Sequence, residues 1–134
     1  MPSLDGTHRL VRAARRETGA AAVEFVLVAP VVVLVFLLLL QWTVRLHAER
    51  AVDAAAREGA VAAARWDGSA GAGETVARTY LTRLDPNVGA AAVKAQRGTE
   101  VASVQVQGDV LTLVPFLHLR VSSTAEQPVE RFVP

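Results

Sequence analysis

The residue with the clearest capacity for electrostatic chemistry is Glu24, a single carboxylate at the start of a long uncharged stretch. Residues 25–44 contain no Asp, Glu, Lys or Arg, and nearly all of them are apolar. A carboxylate held near lipid costs on the order of a few kcal/mol unless it has a partner. Two interpretations stay open: either Glu24 lies at the level of the lipid headgroups and reaches water, or it pairs with a cation.

Gly19 and Ala20 offer a source for that cation. A cut of the chain after Gly19 would give Ala20 a free α-ammonium, four residues before Glu24 and five before Phe25. This spacing resembles the processing site of type IV prepilins. The longer pattern Gly-Ala-Ala-Ala-Val-Glu-Phe, followed further on by Pro30, resembles the TadE/TadF-like minor pseudopilin family of tight-adherence (Flp-type) pilus systems.

The resemblance is close over residues 15–42 and loose over the remainder, which includes residues 121–125 followed by Pro128 and Glu130. It implies that a prepilin peptidase cuts between Gly19 and Ala20 and leaves the apolar stretch in the mature protein. It also implies a pilin-like fold, with other pilins or pseudopilins and the pilus assembly platform as partners. Major pilins of such systems are much shorter, which favours a minor pseudopilin.

The same resemblance implies a role for Glu24 in assembly. In this reading the Ala20 ammonium of one subunit meets Glu24 of a neighbouring subunit. An ion pair is strong in a low dielectric, and an unpaired carboxylate there is costly. The pair would therefore favour one axial register between subunits.

Residues 20–44 are expected to form a transmembrane helix embedded in membrane lipid. The uncharged run of 20 residues spans about 30 Å of hydrocarbon as a helix. Trp42 suits the headgroup level at the far boundary. Pro30 cannot donate to the carbonyl of Val26, which predicts a kink or local loosening. Pro30 is either a tolerated membrane proline or, as the resemblance implies, a flexible point for subunit packing.

Residues 1–19 are interpreted as a basic cytoplasmic leader that is removed by the cut. Four arginines outweigh two acidic residues there, and basic residues tend to stay on the cytoplasmic side. Arginines beyond the span reduce this bias. The expected location is the bacterial inner membrane, single-pass, with the N-terminus in the cytoplasm and the C-terminal domain outside. Incorporation into a surface pilus is a further step that the resemblance implies.

Residues 45–66 are predicted to extend the helix beyond the membrane, because alanine dominates this stretch and is the strongest helix former. One row at four-residue spacing is polar: Arg45, Glu49, Asp53 and Arg57. Another row is small throughout: Ala51, Ala55, Gly59 and Ala63. Small residues at this spacing let helices approach closely. The small row therefore packs either under the chain's own C-terminal domain or against another subunit.

Residues 67–73 are predicted to be a glycine-rich linker, and residues 74–134 a small α+β domain outside the cytoplasm. A short helix is expected over residues 74–84, and a turn at residues 108–109. Strands are predicted from alternating polarity and β-branched residues at residues 91–96, 101–107, 110–114 and 117–124. The expected fold class is therefore α+β: a long helix, a short helix and an antiparallel sheet of three or four strands. Phe132 is expected to anchor an extended tail.

Composition argues against most other functions. The net charge is +1, which provides no basic surplus for nucleic acid. The chain has no cysteine, and its three histidines share no spacing typical of metal ligands. No nucleophile motif or phosphate-binding loop is present. We expect no enzyme activity, no metal, no cofactor and no small-molecule substrate.

A second hypothesis competes with the pseudopilin. The chain could be an uncleaved single-pass anchor that presents a small extracytoplasmic binding module. A membrane-bound enzyme would be a third class, but it requires a convergent polar site that the sequence does not display.

Overall fold

The computed structural model describes the backbone of residues 5–134 and the side chains of residues 9–134, so residues 1–4 of the predicted leader lie outside it. In chain order the elements are helices α1 (Asp5–Ala64) and α2 (Ala70–Leu84), then strands β1 (Gly89–Arg97), β2 (Val101–Asp109) and β3 (Arg120–Pro128). Contacts divide the chain into two compact units, one that ends at Leu38 and one that comprises Leu39–Pro134. The predicted α+β fold class is confirmed, with three strands in the sheet.

Helix α1 begins earlier than the sequence predicted. The helix was expected from Ala20, yet it starts at Asp5 and takes in most of the basic leader. Four of the residues between Asp5 and Gly19 are arginines and two are alanines, and both residue types have high helix propensity. The first proline inside α1 is Pro30, so nothing breaks the helix before the apolar run.

The connection between the helices is shorter than the predicted linker. α1 ends at Ala64, and Gly68 donates its N–H to the Arg65 carbonyl at 2.9 Å. A Cβ at Gly68 would lie 2.3 Å from the Ala62 carbonyl oxygen, so this turn requires glycine. α2 begins at Ala70 and not at residue 74, because the Ser69 hydroxyl accepts a hydrogen bond from the helix's first turn and caps it. Residues 70–73 are therefore helical.

The sheet is antiparallel in the order β1-β2-β3. In β2, Val104 and Val106 are buried while Gln105 is exposed, which is the alternation that the sequence predicted. The predicted turn at residues 108–109 is wrong, because β2 continues there and pairs Gly108 with Val121. A Cβ on Gly108 would lie 2.3 Å from a Val88 methyl group, so this glycine provides close packing within a strand.

The predicted strand at residues 110–114 is also wrong. Residues 110–119 form the connection between β2 and β3, which we call the β2–β3 loop. The loop closes where the Val110 N–H donates to the Leu119 carbonyl at 2.9 Å. Propensity favoured a strand here because valine and leucine alternate with other residues, but β3 begins only at Arg120.

The core of the larger unit is built mainly from small side chains. Ala55 and Ala63 on α1 are fully buried, as are Ala77 on α2 and Val104 on β2. A Cβ on Gly59 would lie 2.8 Å from the Cβ of Ala77 and 2.8 Å from the Gly73 carbonyl oxygen. The close approach of α1 and α2 therefore depends on side chains no larger than the hydrogen of glycine or the methyl group of alanine.

The C-terminal tail is held by its backbone and not by Phe132. Val129 donates its N–H to the Glu100 carbonyl, and Glu130 donates to the Ala64 carbonyl, each at 2.8 Å. Phe132 itself is 83% exposed, so the expectation that it anchors the tail is wrong.

We expect Gly59→Ala to lower the unfolding temperature of the full-length protein in detergent. Overpacking costs about 1–3 kcal/mol, which outweighs the gain of about 1 kcal/mol from alanine over glycine in a helix. A loss of about 1 kcal/mol corresponds to a shift of roughly 5 °C in a domain of this size. Circular dichroism during heating measures the shift.

The matched control is Gly71→Ala, since a Cβ there would meet only the Ser69 hydroxyl, at 3.9 Å. This variant should keep or raise the unfolding temperature. Equal stability of Gly59→Ala and wild type would contradict the close approach of α1 and α2.

Candidate functional site

The proposed cut lies on the surface of α1. Gly19 and Ala20 are both helical and exposed, and a Cβ added to Gly19 would meet nothing within 4 Å. Just before them, the Thr18 hydroxyl donates to the Ala14 carbonyl. A peptidase that acts between Gly19 and Ala20 must first unwind this turn. Glycine weakens a helix by about 1 kcal/mol relative to alanine, so Gly19 makes the unwinding easier.

Glu24 has no ionic partner in the part of the chain whose side chains are described. The ion pairs there involve other acids, and the Glu24 side chain is exposed. The helical neighbours of Glu24, three and four positions away, are Ala20, Ala21, Leu27 and Val28. None of these side chains carries a positive charge, so no cationic side chain lies one turn from Glu24 on its own helix.

The helix surface after Glu24 is apolar and uncovered. Phe25 is 72% exposed, and most of the valine and leucine side chains as far as Leu40 are exposed as well. By length and composition, α1 is the one helix among the described residues that is able to cross a membrane, and its most apolar window is not buried. Such a surface is soluble only in lipid or against other apolar helices.

Pro30 lies within α1, and the helix continues on both sides of it. The chain is helical from Val26 to Pro30 and beyond, although Pro30 has no N–H to donate. The Val26 carbonyl therefore lacks its usual helical donor, and in a membrane no water would replace it.

The far end of the apolar run has features typical of a membrane boundary. Trp42 is exposed, and the Arg45 guanidinium lies 5.5 Å from the centre of its ring, within cation–π range. Arg45 also pairs with Glu49 at 2.8 Å. An indole followed by the first cation after the run is the pattern expected where a membrane helix leaves hydrocarbon.

Gln41 is the residue that the sequence analysis missed. It is 2% exposed, and its amide makes two hydrogen bonds to the β2–β3 loop. Its Nε2 donates to the Leu111 carbonyl at 3.0 Å, and its Oε1 accepts from the Leu113 N–H at 2.6 Å. The available signal was a lone amide in an otherwise apolar run, and a buried amide normally has its hydrogen bonds satisfied.

The two rows of α1 have different environments. The small row, Ala51, Ala55, Gly59 and Ala63, is buried and packs within the chain's own core. In the polar row, Asp53 pairs with Arg57 at 2.8 Å and accepts a hydrogen bond from the Ser123 hydroxyl at 2.9 Å. The polar row therefore also helps to hold β3 against α1.

Two histidines outside the leader stand apart from each other. His47 Nε2 lies 3.4 Å from the Leu84 carbonyl oxygen, and His118 lies in the exposed β2–β3 loop. Within residues 9–134, no three His, Asp or Glu side chains are arranged to hold a metal ion.

These features define a single-pass membrane protein with a small α+β domain after its helix. The model of a family described as TadE-like protein matches residues 19–61. The match confirms the resemblance to the TadE/TadF-like family, a family of Tad pilus components, over residues 19–61. It begins at Gly19 and covers the exposed apolar helix together with most of the helix packed under the domain. The comparisons with curated proteins and with solved structures gave no match.

We expect Gln41→Leu to loosen the β2–β3 loop without unfolding the domain. The Leu113 N–H and the Leu111 carbonyl would each lose a partner, and a hydrogen bond is worth about 1 kcal/mol net. Because about 1.4 kcal/mol is a factor of ten in an equilibrium constant, a loss of about 1 kcal/mol should make the Leu113 amide exchange with solvent about fivefold faster.

Hydrogen exchange of the full-length protein in micelles measures this change. Thr43→Val is the control, since the Thr43 hydroxyl bonds only to Leu39 of its own helix. Unchanged exchange at Leu113 in Gln41→Leu would show that the amide does not hold the loop.

Proposed function

We propose that the protein is a minor pseudopilin of a Tad/Flp-type pilus or related secretion system. In this proposal a prepilin peptidase removes residues 1–19 on the cytoplasmic side of the inner membrane. The mature protein begins at Ala20 and keeps its transmembrane helix over residues 20–44, with residues 45–134 outside the cytoplasm. It then joins other pilins or pseudopilins on the assembly platform.

The observation that carries the proposal is the isolation of Glu24 at the edge of the apolar helix surface. Its carboxylate is exposed, and no side chain within one helical turn provides a positive charge. A cut after Gly19 would create an α-ammonium on the residue one turn earlier, on the same helical face. In lipid, this new cation on an adjoining subunit offers Glu24 a partner that the uncut chain lacks.

Burial of the small row supports the role of residues 20–40 as the surface for assembly. Gly59 and Ala63 contact the chain's own α2 and β2, so their face of α1 is occupied. The apolar run that begins at Phe25 is, by contrast, uncovered. Subunit packing through this helix would therefore place Glu24 and Pro30 within the contact.

The domain that follows α1 supports the role of a minor pseudopilin. Residues 70–134 form a second helix and a sheet that cover one side of α1. A subunit with this cover cannot pack tightly on all sides of its helix. Such a subunit suits the start, the tip or scattered positions of a filament better than its repeated body.

Co-expression with a prepilin peptidase should yield a product whose first residue is Ala20, detected by N-terminal sequencing or intact mass. Gly19→Ala should impair the cut, because a side chain must then fit where none was present. The matched control is Gly19→Ala combined with Ala21→Gly, which keeps the glycine content of the helix. It should be impaired equally if the position of the glycine matters and not only the ease of unwinding.

Detection of only the intact chain beside an active peptidase would contradict the proposal. The protein would then be an uncleaved anchor that presents a small binding module.

Glu24→Gln should leave membrane insertion and cleavage intact but reduce assembly. It keeps the shape and removes the charge, so the pair with the Ala20 ammonium is lost. A loss of about 1.4 kcal/mol would reduce recovery with sheared pili about tenfold. Glu24→Asp keeps the charge and should retain more of the assembly.

Wild-type recovery of Glu24→Gln would contradict the ion pair. A failure of Glu24→Gln to be cleaved would assign the carboxylate to processing instead.

A further inference from the structure

The β2–β3 loop exposes an apolar tip at one end of the domain. Residues 110–117 contain no charged side chain, and Asp109 and Arg120 flank the loop as an ion pair at 2.9 Å. Leu111 and Leu113 are partly exposed, and Phe116 is 98% exposed. Loops of soluble domains are normally polar, so this tip suggests contact with something apolar.

Gln41 determines where this tip lies along α1. Its amide bonds to Leu111 and Leu113 at 3.0 Å and 2.6 Å. Gln41 comes one residue before Trp42 and four before Arg45, the first charged residue after the apolar run. If α1 spans a bilayer, the loop is therefore held at the level of the outer headgroups.

Several polar backbone groups of the β2–β3 loop have hydrogen-bond partners within the protein. Besides the two bonds to Gln41, the Thr112 hydroxyl donates to the Leu117 carbonyl at 3.0 Å, and the Val110 N–H donates to Leu119 at 2.9 Å. Burial of unpaired backbone groups in lipid is costly. A loop that pairs these groups internally lowers the cost of entering the interface.

Phe116 is unexpected if only the stability of the isolated domain matters. Its backbone is left-handed, with φ of 70°, a conformation that glycine adopts without the cost of a side chain. The ring contributes almost nothing to the core because it is nearly fully exposed. Folding thus gives no reason for a phenylalanine at the tip, whereas an apolar partner outside the domain does.

We propose that the β2–β3 loop is a second membrane contact, with Phe116 and the leucines beside it inserted into the outer headgroup region next to α1. An aromatic ring suits this level of a bilayer. Held at two points, the domain would keep one face toward the membrane. The proposal rests on the membrane span, and neither cleavage after Gly19 nor pairing of Glu24 affects it.

The absence of cysteine makes the test direct. The full-length protein with Phe116→Cys is spin-labelled, placed in phosphatidylcholine vesicles, and exposed to oxygen, which concentrates in lipid, and to a water-soluble nickel chelate. Phe132→Cys is the matched control: it replaces another phenylalanine ring, 83% exposed, in the tail segment after Glu130, whose N–H donates to the Ala64 carbonyl. Ala64 lies 23 positions after Gln41 in α1, which is roughly 35 Å along the helix.

We expect the ratio of oxygen to nickel collisions to be several-fold higher at position 116 than at position 132. Equal, water-like ratios at both positions would overturn the proposal. A label at position 116 that is shielded from both reagents, and is freed when the protein is diluted with more lipid, would also overturn it. That outcome would assign the loop to a neighbouring protein molecule.

A second measurement keeps the native ring in place. A label at His118→Cys reports on the loop with Phe116 present or replaced by Phe116→Ser. The replacement should lower the oxygen-to-nickel ratio several-fold, whereas Phe132→Ser should leave it unchanged. No change with Phe116→Ser would mean that the ring does not hold the loop in the membrane.

Discussion

The uncovered apolar surface of α1 is the constraint on which the rest of the structure depends. From Phe25 to Leu40 the side chains project outward with little protein to cover them, and only lipid or other apolar helices will accept such a surface. The charged and amphipathic groups are placed accordingly. Glu24 stands at one edge of the surface, while Trp42 and Arg45 stand at the other. A carboxylate at the first edge is costly alone, which gives the molecule a reason to bind a cation there.

The part of α1 after Leu39 supports a domain of fewer than 100 residues. This domain has few large side chains in its core. Alanine and glycine allow α1 and α2 to approach so closely that a Cβ added at Gly59 would lie 2.8 Å from the Gly73 carbonyl oxygen, and one added at Gly73 would lie 2.8 Å from the Gly59 carbonyl oxygen. Close contacts between these small residues stabilise the core in place of the large side chains that other domains bury. The same packing occupies one face of the helix, so that face is closed to other molecules.

Much of the fold followed from local pattern. The uncharged run, the alternation in β2 and the end of α2 at Leu84 were all readable, because each rests on residue types within one short segment. The strand predicted at residues 110–114 failed because alternating apolar residues look alike in a strand and in an apolar loop. The early start of α2 was missed because the glycines at positions 71 and 73 suggested a linker. The Ser69 cap and the packing of Gly73 under α1 outweighed that preference.

The sequence by itself determined the long apolar helix, the carboxylate at its edge and the pattern that resembles a prepilin processing site. These features depend only on the type and order of neighbouring residues, which can be read without a structure. Only the tertiary structure decided that the small row packs within its own chain and that Gln41 holds the β2–β3 loop. It also decided that Phe132 lies free of the core while Phe116 lies at an apolar tip. Those outcomes depend on contacts between residues up to 72 positions apart, and such contacts leave no periodic trace in the sequence.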